Sequence, residues 1–394
     1  MEYSERLKKL PEQFFASLVN KVSKAVAEGR NVINLGQGNP DQPTPKHIVK
    51  ALQESAEDPG THRYSPFRGI DELKEAAATF YKNQYNVDID PKTEVAIMFG
   101  AKSGLVQLPL CLLNEGDLML LPDPGYPDYM SGVVLANVDY KTFPLKAENN
   151  FLPDFAAIPA EQKEAAKLMY LNYPNNPTGA TADRSFFEET VAFAKEHNIT
   201  IMHDFAYGAI GFDGKRPVSF LEVEGAKDIG VEMYTLSKTY NMAGWRVGFA
   251  VGNPAIIEAI NLIQDHLHCS LFPAVQKAAA AALTDDQKCV DELVARYEQR
   301  RNTLIEACRN IGWDVQAPTG SFFAWLPVPK GFTSESFADF LLEKADVAVA
   351  AGKGFGEFGE GYVRVGLLVD DDVLIEAVNR IDKLNLFKTS SIEV

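Results

Sequence analysis

The sequence predicts an α/β protein: a large domain with a mostly parallel sheet between helices, plus a smaller α+β domain. Three observations carry that prediction. At 394 residues the chain is too long for one small core and suits two domains. From about residue 70, short apolar runs alternate with segments whose apolar residues recur at helical spacing, as in strands joined by crossover helices. Near residue 285 this alternation gives way to one long amphipathic stretch followed by several short strand-like runs.

Residues 1–44 read as an N-terminal arm joining the smaller domain, and the punctuated stretch GQGNPDQPTP marks a linker at its end. Residues 45–284 form the large domain. Its helix DELKEAAATFYKNQY (71–85) is followed by the strand EVAIMFG (94–100), which closes on a glycine. Further strands are expected at LMLLPDPG (118–125), AKLMYLNYP (166–174), ITIMHDF (199–205), EMYTLS (232–237) and RVGFAVGN (246–253). RSFFEETVAFAKEHN (184–198) reads as a helix among them. Residues 285–394 form the smaller domain, opening on the helix DQKCVDELVARYEQRRNTLIEACRNIG (286–312). Strands at WDVQAP (313–318), SFFAWLPV (321–328), DVAVAAG (346–352) and YVRVGLL (362–368) then surround the helix FADFLLEKA (337–345), and the tail FKTSSIEV (387–394) reads as frayed.

With 46% hydrophobic and 23% charged residues, the composition is that of an ordinary soluble globular protein. A formal net charge of −16 argues against general affinity for nucleic acid or anionic membranes, while leaving room for an anionic ligand in a local basic pocket. The start MEYSERLKKLPEQFF lacks the apolar core of a secretory signal and no apolar run is long enough to cross a bilayer, so a cytoplasmic location is expected. Cys111, Cys269, Cys289 and Cys308 are scattered without CxxC pairing, which suits reduced thiols better than disulfides or zinc.

Chemistry-bearing residues gather where strands are expected to end, the place where open α/β sheets bind ligands. Gly100, Ala101, Lys102 and Ser103 form a small-residue turn into a helix, able to bring backbone N–H groups to an anion. NYPNNPTG (172–179) sets Asn175 and Asn176 between two prolines, a rigid loop that can aim an amide. Asp204 closes an apolar strand and reads either as a helix cap or as the partner of a protonated ring nitrogen, with Tyr207 three residues on. Lys238, in TLSKTYNMAGWRVGF, lies among hydroxyl residues with an arginine close behind, a setting that can depress an amine pKa. Two motifs are set aside. GFGEFG (354–359) precedes a strand instead of opening a helix, and HLH (266–268) lacks further ligands, so no dinucleotide or metal site is expected.

NNPTG, the pair Asp204 and Tyr207, SK at 237–238 and GWRVG at 244–248, in that order, resemble the class I pyridoxal-phosphate aminotransferases of fold type I over nearly the whole chain. The stretches NLGQGNPDQPTP, YSPFRG, DPGYPDY, HDFAYGAIGFDG and SKTYNMAGWRVGFAVGN are similar to the methionine-salvage branch, which implies amination of 2-oxo-4-methylthiobutyrate with glutamine as donor. The resemblance implies that Lys238 holds pyridoxal 5'-phosphate as a Schiff base and shuttles the proton at the substrate Cα. Asp204 would keep the pyridine nitrogen protonated, and Tyr207 and Asn176 would bond the ring's phenolic oxygen. The phosphate would lie against Gly100, Ala101 and Lys102, with Thr235, Ser237 and Arg246; Thr235 replaces the usual serine and retains its hydroxyl. Tyr126 would stack on the ring. Arg364, helped by Gly38 and Asn176, would grip the substrate carboxylate, and Tyr64 would reach the phosphate of a second subunit, which implies a homodimer with shared sites.

Alternatives within the same chemistry are an aminotransferase for aromatic amino acids, aspartate or diaminopimelate, and a pyridoxal-phosphate-dependent C–S lyase. A regulator without turnover would carry a DNA-binding domain for which this chain has no room. Phe14, Phe15 and Leu18 read either as a cover for the substrate's apolar tail or as plain packing.

Overall fold

In this computed structural model, which describes residues 2–11 and 13–387, the strands are β1 Ile33–Asn34, β2 Val95–Met98, β3 Leu118–Asp123, β4 Asp139–Pro144, β5 Ala166–Asn172, β6 Thr200–Asp204, β7 Gly230–Thr235, β8 Gly248–Gly252, β9 Phe323–Pro327, β10 Val347–Ala348, β11 Ala350–Ala351 and β12 Tyr362–Gly366. The tail from residue 388 onward lies outside the described residues.

Seven strands form one sheet in the order β2, β8, β7, β6, β5, β3, β4, all neighbours parallel except that β8 runs against both β2 and β7. Alternate residues of its inner strands enter different cores. Met169, Leu171, Ile201 and Phe249 pack on one face, while Leu168, Tyr170, Met202 and Ala250 pack on the other. Burial on both faces is why these strands read as continuous apolar runs. The flanking helices end where the sequence stops them. Asp183 accepts from Phe186 N–H at the start of Arg184–His197, and Asn86 and Asn198 take the left-handed conformation after Asp71–Tyr85 and Arg184–His197.

A second core gathers Tyr297, Leu304, Phe322, Val363 and Leu374 between the helices Lys288–Asn310, Ser334–Ala345 and Asp371–Asp382 and an antiparallel sheet in the order β11, β12, β9. The N-terminal helix Phe14–Ala27 leans on this part through Ala25, Leu342 and Ala348, and β1 pairs parallel with β10.

Three details depart from the sequence reading. WDVQAP is not a strand: Trp313 and Val315 are buried in alternation as expected, but the Val315 carbonyl accepts from the Arg309 side chain, not from a ladder. DVAVAAG divides into β10 and β11, which join different sheets. β4 had no apolar signature because it is an edge strand whose first four residues are exposed.

Candidate active site

Sheet topology decides where the functional residues meet. Because β5 and β6 are parallel, Asn172 stands directly beside Asp204, and β7 carries Thr235 to the same rim. β8 runs the opposite way, so its first residue, Gly248, pairs with Thr235 on one side and Met98 on the other. Arg246 and Gly100, just outside those pairs, therefore reach the rim too. A cavity of about 370 Å³ opens there, walled by Phe323 and Arg364 from the second core and by Phe15 from the N-terminal helix.

One end of the cavity is electropositive. Gly100 precedes the helix Ala101–Leu112 with φ +75°, and a Cβ on it would stand 2.6 Å from Arg246 Nη2. Only a glycine lets the guanidinium lie against this turn, where Nη1 donates to Ala243 O at 2.9 Å and Nη2 to Phe99 O at 3.3 Å. Among the described residues Arg246 has no carboxylate partner, whereas Lys102 is paired with Asp128 at 2.8 Å. Thr235 Oγ1 and Ser237 Oγ, 3.0 Å apart, add hydroxyls.

The other end is acidic. Asp204, 4% exposed, accepts from the Tyr129 hydroxyl at 2.8 Å and from Ala206 N–H at 3.2 Å. Burial pushes its carboxyl pKa up, and those two hydrogen bonds oppose the shift. Residues 206–209 form a turn, so Asp204 caps no helix.

Between the ends, Lys238 Nζ donates to Gly38 O at 3.1 Å and lies 5.5 Å from the Phe322 ring. Burial, followed by the charges of Arg364 and Arg246, lowers its pKa to about 8 against the pull of Asp204. Tyr126 and Tyr207 line the walls; the Tyr207 ring meets Phe322 and Phe323 edge-on.

The loop 172–179 is tied by its own side chains. Asn172 donates to Asp204 O at 2.8 Å and accepts from Asn176 N–H at 2.8 Å, and the bonds preceding Pro174 and Pro177 are cis. Asn176 Oδ1 thereby meets Arg364 Nη1 at 2.8 Å. Arg364, 1% exposed, also donates from Nη2 to Gly36 O at 3.1 Å, while its Nε has no partner among the described residues. Its guanidinium lies 3.9, 4.8 and 5.0 Å from the rings of Phe323, Phe355 and Phe15. Burial lowers its pKa to about 10. A buried cation with only neutral partners is costly until an anion joins it.

Every residue to which the family resemblance gives a role lines this cavity except Gly100, which touches Arg246 behind it, and Tyr64; of the other candidates Phe15 lines it, while Ser103, Asn175, Phe14 and Leu18 do not. Tyr64 is 89% exposed, in a separate hollow beside Cys269 and Phe272. Sequence reasoning passed over Tyr129 and Asn172. Both were in quoted motifs, DPGYPDY and NYPNNPTG, but only the pairing of β5 with β6, for Asn172, and the docking of the helix Tyr129–Ala136, for Tyr129, bring them to Asp204.

A sheet with helices on both faces, a half-buried lysine and a buried acid at its strand ends, and a buried arginine facing them from β12 define the architecture of the fold type I transferases. The sequence profile of aminotransferase class I and II matches residues 30–381, and the chain belongs to that family: it is an aminotransferase, of a family that depends on pyridoxal phosphate. It is 66% identical, over 100% of this chain and 98% of the other, to an L-glutamine--4-(methylsulfanyl)-2-oxobutanoate aminotransferase of Bacillus subtilis. It is 45% identical to an LL-diaminopimelate aminotransferase of Syntrophobacter fumaroxidans, over 97% of this chain and 98% of that one. Among solved structures it resembles substrate-bound BacF from Bacillus subtilis, with a TM-score of 0.95 at 48% identity, over 99% of this chain and 100% of the other.

Proposed function

We propose that this enzyme uses pyridoxal 5'-phosphate to move the amino group of glutamine to 4-(methylsulfanyl)-2-oxobutanoate, yielding methionine. The observation that carries the substrate class is Arg364, a buried guanidinium with an unpartnered Nε and no carboxylate partner among the described residues. Four cations line the cavity: Lys102, Lys238, Arg246 and Arg364. Lys102 is held by Asp128, and Lys238 and Arg246 serve the cofactor, so Arg364 alone is left for an α-carboxylate. A second carboxylate, as in aspartate, would find no free cation among these side chains. The 66% identity to the Bacillus subtilis enzyme supports the same substrates.

The residues present fit the cofactor. The glycine cradle at Gly100, the unpaired Arg246 and the hydroxyls of Thr235 and Ser237 suit a phosphate, and Asp204 suits a protonated ring nitrogen at the far end. When bound, pyridoxal phosphate supplies an electron-withdrawing ring that stabilises negative charge at the substrate Cα. Arg364 holds the substrate carboxylate by two parallel hydrogen bonds, and Asn176 keeps the guanidinium oriented. Lys238, with an amine that is free above about pH 8, takes the proton from Cα. With the cofactor bound, Asp204 would hold the ring-nitrogen proton, Tyr207 and Asn176 would bond the ring's phenolic oxygen, and Tyr126 would stack on the ring.

The same reading makes the enzyme a cytoplasmic homodimer whose site is completed by the partner's Tyr64. The exposed rings of Tyr64, Phe67 and Phe272 support it, and the domain boundaries proposed with it, at residues 44 and 284, would leave this face to the large domain. No helix among the described residues is long and apolar enough to cross a membrane.

The test mixes holoenzyme with single L-amino acids and follows loss of the cofactor's visible band. Glutamine and methionine should remove it faster than aspartate or diaminopimelate by at least about 100-fold. Faster loss with aspartate or diaminopimelate would refute the substrate assignment.

A further inference from the structure

GFGEFG (354–359) takes no part in the cavity, yet its glycines mark close approaches. The stretch forms short 3-10 turns, Gly352–Phe355 and Glu357–Gly359, between β11 and β12. A Cβ on Gly354 would lie 1.9 Å from the Phe14 ring, and one on Gly356, at φ +136°, would lie 2.1 Å from Asp123 Oδ1. The N-terminal helix, the end of β3 and the second core therefore all meet on this loop.

Asp123 supplies the polar half of the junction. It is 4% exposed; its Oδ1 accepts from Phe358 N–H at 2.9 Å and its Oδ2 from Glu357 N–H at 3.1 Å. Gly125 N–H, two residues on, donates to Phe355 O at 2.8 Å. Consecutive amides converging on a carboxylate make a strong, directional anchor; among the described residues Asp123 has no ion-pair partner, and the nearby Lys353, which acts on it at longer range, is paired with Glu357. The anchored loop delivers Phe355 between Phe14 and Trp325, at ring distances of 5.3 and 5.8 Å, with the Arg364 guanidinium 4.8 Å from its centroid. Among the described residues Arg364 has two hydrogen-bond acceptors, Asn176 Oδ1 and Gly36 O, so ring packing sets much of its orientation.

We propose that Asp123 is a positioning residue for substrate binding: it ties the 354–359 loop to the large domain, and so holds Phe355 against the Arg364 guanidinium. The proposal rests on Arg364 receiving the substrate carboxylate. In this light the glycines of GFGEFG serve a three-way junction instead of a phosphate.

The experiment measures the half-saturation concentration and maximal rate of the first half-reaction, using whichever amino acid reacts fastest, for Asp123→Asn, Phe355→Leu, the double variant and Arg364→Lys. Asparagine is nearly isosteric but turns an N–H₂ toward an amide that needs an acceptor. Each of the first two variants should raise half-saturation about tenfold, with the maximal rate within about threefold and cofactor affinity unchanged. The double variant should be no more than about twofold worse than the worse single one, because both changes break one chain of contacts. Unchanged half-saturation in Asp123→Asn or Phe355→Leu, or effects that multiply in the double variant, would overturn the proposal while a raised value in Arg364→Lys keeps the Arg364 reading. Lowered cofactor retention or melting temperature without a change in half-saturation would likewise overturn it, leaving Asp123 a purely structural role. If Arg364→Lys leaves half-saturation unchanged, the reading beneath it falls. Should Asp123→Asn fail to fold, Phe355→Leu decides by the same criteria.

Discussion

Lys238 and Arg364 share one small cavity, and their like charges explain why the lysine is the group that yields its proton. Guanidinium holds its proton far more tightly than ammonium, so burial and repulsion together discharge Lys238 first. Below about pH 8 its amine is protonated and unreactive; above it the amine is free. In cofactor-free protein the rate of cofactor attachment should therefore rise with pH through a midpoint near 8, as read by absorbance. Arg364→Ala should move that midpoint upward, since removing a neighbouring cation favours the charged amine. Asp204 gives a second test. The Tyr129 hydroxyl stabilises its ionised form, so Tyr129→Phe raises the Asp204 pKa further and should shift the acid limb of the pH–rate profile to higher pH. Lys238 and Asp204 were legible as types at strand ends, and Arg364, within β12, only through the family resemblance. Their partners, Tyr129 and Asn172, were not: the Asn172 bond depends on the register of β5 on β6, and the Tyr129 bond on how the helix Tyr129–Ala136 docks over the sheet, and a single sequence displays neither.

Elements explain which parts of the fold could be read. β5 to β8 are buried on both faces and appear as apolar runs, while β4 is an exposed edge and β1 and β10 are two-residue pairs below the length at which period is informative. WDVQAP alternated as a strand does, yet it had no neighbour with which to pair. Behind the site, the reverse of β6 and β7 carries a polar pair that the apolar pattern concealed. Glu232 and His203 are fully buried, and Glu232 accepts from Tyr81, Ser219, the Phe220 amide and His203 within 2.9 Å. Glu232→Gln points an amide N–H₂ at these donors and should destabilise the protein by about 3 kcal/mol in urea unfolding. At the cavity's phosphate end, Gly100→Ala should leave the fold intact but weaken cofactor binding about tenfold in equilibrium titration, since its Cβ would displace Arg246.

At the scale of the whole molecule, the cavity lies where the large sheet, the second core and the N-terminal helix converge, so a working site requires all three to be docked. The alternation of strands and helices gave the two-part architecture, and the order of strand-end motifs gave the family, whereas exposed Tyr64 would acquire its role only in the proposed homodimer. Sedimentation should give a dimer at micromolar concentration, with Tyr64→Phe retaining the dimer and losing cofactor affinity. In the proposed reaction Lys238 drives amino transfer from a donor with an uncharged side chain to a 2-oxo acid with a thioether side chain. It is tested most directly by supplying glutamine labelled with ¹⁵N at the α-amino group, together with 4-(methylsulfanyl)-2-oxobutanoate, and weighing the methionine formed. The account predicts ¹⁵N-methionine from the wild-type enzyme and none above background from a folded Lys238→Ala variant. Unlabelled or absent methionine from the wild type, or equal labelling from the variant, would contradict it.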